Sequence, residues 1–279
     1  MLYRPAGSNA TLTEQHFLSQ SEVAMRSGSV AEPGFVSAFS WRSPLGELRV
    51  NDSDATLAFR FDTLNVTARL SKRVPWSAAA PDAAGPEGWV GKVAPLPCHY
   101  FVHSLGSRAE YTLTPAGGSA TTGSGYAHME TNYGRSFPQG WIWAQAVDAT
   151  GGVQVVMTAG KFVALGPVAL EEMVVAYRSP RLRWNFRTTD VDVVSRRSSA
   201  AGGWVEVVAR HPVRGEELRL TIQAPVGSFS DPLYFPTASG FSDKPGSVES
   251  YSATVHAVAY RHGSVIEEQR IPLAALEFG

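Results

Sequence analysis

Short runs in which apolar and polar residues take turns recur along this chain, and most runs end at Gly, Pro, Ser or Asp. The stretch WVEVVAR alternates from Trp204 to Val208, and ELRLTI alternates from Glu217 to Ile222. One wet face and one buried face is the mark of antiparallel sheet. The same reading predicts a first series of strands at Phe35–Trp41, Thr56–Phe61, Asn65–Leu70, His99–Leu105, Ala109–Thr114, Gly125–Asn132 and Trp141–Val147. A second series follows at Val153–Ala159, Val168–Tyr177, Arg183–Thr188, Val191–Ser195, Trp204–Arg210, Glu217–Gln223, Tyr251–Arg261 and Ser264–Arg270.

Helical periodicity is scarce. Leu12–Met25 is the one predicted helix, with Thr11 or Thr13 as its cap and Glu14 in its first turn. No strand–helix–strand rhythm repeats, so the fold class expected is all-β: two antiparallel barrels or sandwiches. The Gly134–Gly140 stretch (GRSFPQG) divides the two strand series, and Pro138 interrupts any ladder there. Domains are therefore expected at 1–136 and 137–279. Val74–Gly88 and the aromatic, proline-rich Ala224–Gly246 read as long loops, the second suited to closing over an apolar ligand.

Composition narrows the function classes. Hydrophobic residues make up 44% of the 279 and charged residues 18%, enough apolar surface for a packed core. A net charge of −1 with no long Lys/Arg run argues against nucleic acid as a partner. Cys98 is the single cysteine, which rules out an intrachain disulfide and a thiolate zinc cluster. No apolar signal-peptide core opens the sequence and no uncharged run is long enough to span a bilayer, so a cytoplasmic location is expected.

The chemistry concentrates between Gly125 and Gln145. In an extended chain Tyr126, His128, Glu130 and Asn132 share one face, and Trp141, Trp143 and Gln145 share a face of the next strand. A carboxyl, an imidazole and two indoles so placed suit orienting an apolar ligand and donating a proton to it. Two readings of Glu130 stand side by side. It acts as the acid, kept protonated by apolar surroundings, or it and Asn132 pin the backbone of the crossover. His128 is the alternative acid or a relay. His99 and His103 lie about 13 Å apart on a strand, too far for one metal, and no metal site is expected. No G-x-S-x-G elbow occurs, and the Gly/Ser-rich GGSATTGSG lacks the Lys of a phosphate loop.

This segment resembles the tocopherol cyclase family. Glu130–Thr131–Asn132–Tyr133–Gly134, then Phe137–Pro138, Trp141, Trp143 and Gln145, is similar to its signature E-K-N-W-G-x-x-F-P-x-x-W-x-W-x-Q. Thr131 stands where that signature has Lys, and Tyr133 where it has Trp. Upstream, LPCHYFVHSLGS (96–107) is similar to a strand of that family ending in S-x-G-S. The resemblance implies two lipocalin-type (calycin) barrels that need no metal or organic cofactor. It also implies kinship with carotenoid hydratases and with fungal cyclases that fold polyenes by Diels–Alder chemistry.

The expectation is a cofactor-independent cyclase or isomerase closing a ring in a polyketide or isoprenoid substrate. Glu130, His128 and Asn132 are its candidate catalytic residues. Tyr100, Tyr133, Trp141, Trp143, Gln145 and Trp184 are candidates for lining the site. The alternatives are a lipocalin-like carrier of an apolar ligand and a hydratase or dehydratase using the same acid. The expected partner in every case is a hydrophobic small molecule.

Overall fold

The computed structural model of the protein describes residues 1–27, 30–32, 35–36, 38–76, 85–93, 96, 98–134, 137–165, 168–237 and 239–279. Parts of the expected strand Phe35–Trp41, of the dividing stretch Gly134–Gly140 and of the two expected loops fall outside the described residues. The chain divides into two compact units. One comprises Met1, Glu14–Ala94 and His99–Asn132, and the other Leu2–Thr13, Pro95–Cys98 and Tyr133–Gly279.

In the first unit seven strands form a single antiparallel meander. They are β1 (Ala24–Ser27), β2 (Phe39–Ser43), β3 (Gly46–Val50), β4 (Ala55–Arg60), β5 (Leu64–Ser71), β6 (Cys98–Pro115) and β7 (Thr121–Gly134), each hydrogen-bonded to the next in sequence. Val50, Ala55, Leu70 and Ala109 are buried at its core, with Phe39, Leu48 and Met129 packed on them. Tight connections hold the register. At Gly46 a Cβ would lie 2.0 Å from the Ala58 carbonyl oxygen, and φ is +148°, so only glycine fits there.

The second unit carries nine strands: β8 (Trp141–Val147), β9 (Gln154–Leu165), β10 (Val168–Arg178), β11 (Arg183–Arg187), β12 (Val193–Ser199), β13 (Trp204–His211), β14 (Glu216–Gln223), β15 (Val248–Arg261) and β16 (Ser264–Phe278). Sequence neighbours pair in turn, β8 also pairs with β16, and only the β11–β12 step has no ladder. The sheet is thus a nearly closed up-and-down barrel. A two-residue hairpin, His262–Gly263, with φ of +49° and +81°, joins β15 to β16.

Alternation fills the barrel. Ile142, Ala144 and Ala146 of β8 point inward, as do Ala253 and Ala257 of β15. These small side chains leave room for Tyr177 and Phe186, which are 1% exposed, and for Met157. Strand β10 is buried on both faces, since Val174 and Ala176 on its outer side are buried as well. The loop after β14 is tied down rather than free. Ser228 Oγ meets Ser250 Oγ at 2.7 Å, and Ser230 N–H donates to the Glu249 carbonyl at 2.8 Å.

Two expectations are corrected. Leu12–Met25 is not a helix. Leu12–Thr13 pairs with Leu2–Tyr3, Gln20–Glu22 is a single 3-10 turn, and β1 follows. Serine competes for local bonds here: the Ser19 N–H and hydroxyl both donate to Glu22 Oε2, at 2.8 and 2.7 Å, closing the chain into a turn. The expected pair His99–Leu105 and Ala109–Thr114 is one unbroken strand, β6. Its small residues Ser104, Gly106 and Ser107 serve another purpose. Leu105 N–H donates to the Val74 carbonyl at 2.8 Å and Val74 N–H donates to Ser104 Oγ at 3.1 Å, so this part of β6 grips the segment after β5.

Candidate functional site

Strands β6 and β7 are neighbours in the first unit. Alternation puts Tyr100 of β6 and His128 and Glu130 of β7 on one face of that pair, and His103 and Thr131 on the other. On the first face the Tyr100 hydroxyl donates to Glu130 Oε2 at 2.6 Å. His128 Nε2 lies 2.8 Å from the same oxygen. The imidazole side chain is 5% exposed and the carboxyl 20%, so the three form a half-buried phenol–carboxyl–imidazole chain that solvent still reaches through Glu130.

The start of β6 is held by a residue that sequence reasoning did not single out. Glu87 Oε1 accepts the Tyr100 backbone N–H at 2.6 Å, and its Oε2 lies 3.0 Å from His99 Nδ1. Glu87 thereby fixes the main chain from which the Tyr100 phenol projects.

On the opposite face His103 is 4% exposed. Its Nε2 meets Thr131 Oγ1 at 2.8 Å, and Nδ1 is buried with no hydrogen-bond partner among the described residues. Phe101 contacts the ring edge-on at 4.9 Å between centroids and Phe39 lies at 5.5 Å. Burial pushes the His103 pKa down to about 4, with the Arg73 and His128 charges adding to the effect. This imidazole is neutral at pH 7. The Arg73 guanidinium donates to the His103 carbonyl oxygen at 2.9 and 3.2 Å. His99 and His103 thus take separate partners.

Of the remaining expected site residues, Asn132 belongs to the first unit and Tyr133, Trp141, Trp143, Gln145 and Trp184 to the second. Asn132 is exposed at the end of the first unit's span of β7. Tyr133, where the second unit resumes, is 38% exposed. Trp141, Trp143 and Gln145 share the outward face of β8, while Ile142, Ala144 and Ala146 turn into the barrel. Trp141 Nε1–H donates to Glu277 Oε1 at 2.9 Å, and Phe137 and Phe235 each meet the indole edge-on at 5.3 Å. Gln145 Oε1 is buried without a partner among the described residues. Trp184 is barrel core, edge-on to Phe186 at 5.9 Å.

Elsewhere in the first unit Glu14, His16 and Asp62 bring potential ligand atoms within 4.8 Å of one another. The Glu14 oxygens are already engaged. Oε1 accepts the Asp62 N–H at 2.6 Å and faces His16 Nε2, and Oε2 accepts the Thr63 N–H and hydroxyl at 3.1 and 2.5 Å. Burial acts to raise the Glu14 pKa, but these hydrogen bonds outweigh it and bring it down to about 2. The residue works as a clasp on the β4–β5 turn.

No helix among the described residues is long and apolar enough to cross a membrane. No protein-family model and no curated protein matches the chain. Among solved structures the chain is similar to a protein assigned as AttH from Nitrosomonas europaea, at 12% identity and a TM-score of 0.46, covering 85% of this chain and 69% of that one. It is also similar to kievitone hydratase from Nectria haematococca, at 11% identity and a TM-score of 0.42, covering 80% of this chain and 64% of the hydratase.

Proposed function

We propose that this protein is an enzyme that moves a proton on an unsaturated, apolar small molecule, closing a ring in a polyketide or isoprenoid substrate without a cofactor. The observation that carries this reading is the Glu130 oxygen shared by the Tyr100 phenol and the His128 imidazole. A carboxyl joined to two other groups that can hold a proton can be reloaded after each transfer. Because Oε2 accepts from the phenol, a proton delivered by the carboxyl itself would leave from Oε1, and the proton released as the ring closes would return to the carboxylate while the Tyr100 phenol keeps its own proton and holds Oε2 in place. Glu87 would keep the phenol in place. The packed interior of the barrel, with Tyr177, Phe186 and Met157 at its centre, disfavours the carrier reading in which a ligand occupies that interior.

The test is conversion of prenylated quinols and linear polyenes, followed by mass spectrometry in deuterated and in oxygen-18 water. Ring closure by proton transfer gives a product isomeric with its substrate that has gained one solvent deuterium. Hydration gives a product carrying the heavy oxygen. Glu130→Gln should lower turnover by about 10²–10⁴-fold while circular dichroism and dye binding persist. Undiminished turnover in Glu130→Gln refutes the acid role and leaves substrate folding alone. Loss of the fold instead assigns Glu130 to holding β7 in place.

A further inference from the structure

Exposed arginines in this protein are commonly matched across the strands. Arg42 sits opposite Glu47, Arg197 opposite Glu206, Arg210 opposite Glu217 and Arg261 opposite Glu216. Each of these pairs is an ion pair, at 3.1, 2.6, 2.5 and 3.4 Å respectively. One row of the first unit's sheet breaks the habit. Reading across β1 to β5, the directly opposed residues are Arg26, Ser40, Arg49, Thr56 and Arg69. Hydroxyls stand where carboxylates would otherwise neutralise the row.

Arg26 and Arg49 are two strands apart, about 10 Å between Cα atoms, with Ser40 between them. Both guanidinia can bend over that hydroxyl onto one guest. Arg26 is bonded through its backbone in the β1–β2 ladder, and its guanidinium has no hydrogen bond or ion pair among the described residues. Arg49 reaches only Glu47 on its own strand, at 3.0 Å, and that carboxylate is shared with Arg42. The far end of the row is the less free. Arg69 meets Asp54 at 3.3 Å and has Glu110 opposite it on β6. The row lines a groove of about 740 Å³, which Ser27, Ala38, Asn51 and Asp54 also border, the Asp54 carboxylate being the one that Arg69 engages; Phe39, Val50 and Ala55 reach its margin but turn their side chains into the core. That is room for a small organic molecule.

We propose that this groove is a binding site for a small organic phosphate, its phosphate between Arg26 and Arg49 above Ser40 and its carbon skeleton over Ala38, on the same face as Ser40. A guanidinium fork matches phosphate oxygens in geometry as well as in charge, and a serine hydroxyl supplies a further donor. The site is separate from the Tyr100–Glu130–His128 chain and does not depend on the activity proposed for it.

The probe is hexyl phosphate, titrated by calorimetry into the whole protein beside inorganic phosphate and vesicles containing phosphatidate. Hexyl phosphate should bind saturably, more tightly than inorganic phosphate, and more weakly as salt rises. Arg26→Ala/Arg49→Ala should weaken it by about tenfold or more, as expected for losing charge-assisted bonds. Arg197→Ala, which removes an exposed arginine of the other unit, should leave it unchanged. Absence of saturable binding, unaltered binding to the double variant, an equal loss in Arg197→Ala, or binding to vesicles alone would each overturn the proposal.

Discussion

Acidification to pH 5 should destabilise the first unit through His103. Its imidazole is neutral when folded, with a pKa of about 4, whereas an unfolded histidine titrates near 6.5, so between these values the unfolded chain binds more protons. Stability contributed by the neutral ring is therefore complete above the unfolded pKa and falls as pH drops toward the folded one. The linkage relation gives a loss of about 2 kcal/mol between pH 7 and pH 5, and about 3 kcal/mol once pH lies below both values. The cause is structural: protonation would put a charge between Phe39 and Phe101, with the Arg73 guanidinium already bonded to the same residue's carbonyl. Urea unfolding at a series of pH values, for the protein and for His103→Gln, isolates the effect. Glutamine can still reach Thr131 but does not titrate, so the acid-side slope should flatten by that amount in the variant. Two units unfold, so the comparison is made on the transition that responds to the substitution. Titration of the His103 ring near 6.5 by NMR, or identical slopes in the two proteins, would refute the reasoning.

Three further expectations concern other parts of the molecule. Phe186→Ala should cost about 3–5 kcal/mol by opening a cavity beside Trp184, read as a lower urea midpoint of the barrel; a loss below about 1 kcal/mol would mean the interior can collapse around the gap. Glu14→Gln should remove an acid-side dependence. A carboxyl whose folded pKa is lowered to about 2 stabilises the fold above the unfolded pKa near 4.5, and that contribution disappears as pH falls through the folded value. The variant should thus resemble the parent more closely at pH 2 than at pH 6 in thermal melts, and a constant difference would contradict the clasp. A double-mutant cycle of Tyr100→Phe and Glu130→Gln should show a coupling of about 0.5–3 kcal/mol in unfolding free energy; simple additivity would mean that the phenol–carboxyl bond is not maintained in solution.

The antiparallel rhythm was legible because each strand has one apolar and one polar face, and in WVEVVAR or ELRLTI no other period competes. Strand β3 escaped notice because GELRV is too short to show a period. The serine-flanked turn at Ser19–Glu22 was missed because its side-chain bonds compete with the backbone, which apolar spacing does not record. In the candidate site, His128 and Glu130 could be placed together from their spacing of two on a strand. The Tyr100 contact needed knowledge that β6 and β7 are neighbours, and the Glu87 contact lies where no periodicity exists. Trp141 and Trp143 are close to Glu130 in sequence, but the chain passes from one unit to the other between Asn132 and Tyr133, so alternation along a single strand does not reach from Glu130 to them.

The pairing of β8 with β16 governs the order of events during synthesis. Ile142 is hydrogen-bonded across to the strand position of Phe278, so the first stave of the barrel has no neighbour on that side until the last has been made. In the seven-stranded sheet every strand pairs with the one made before it, and the nascent chain can zip up stepwise as it emerges. The second unit must instead wait with its apolar inner faces exposed until Ser264–Phe278 arrives. The barrel is then the part that chaperones should hold longest, and a ribosome stalled before that strand should leave the first sheet protected from protease and the staves behind it open to cleavage.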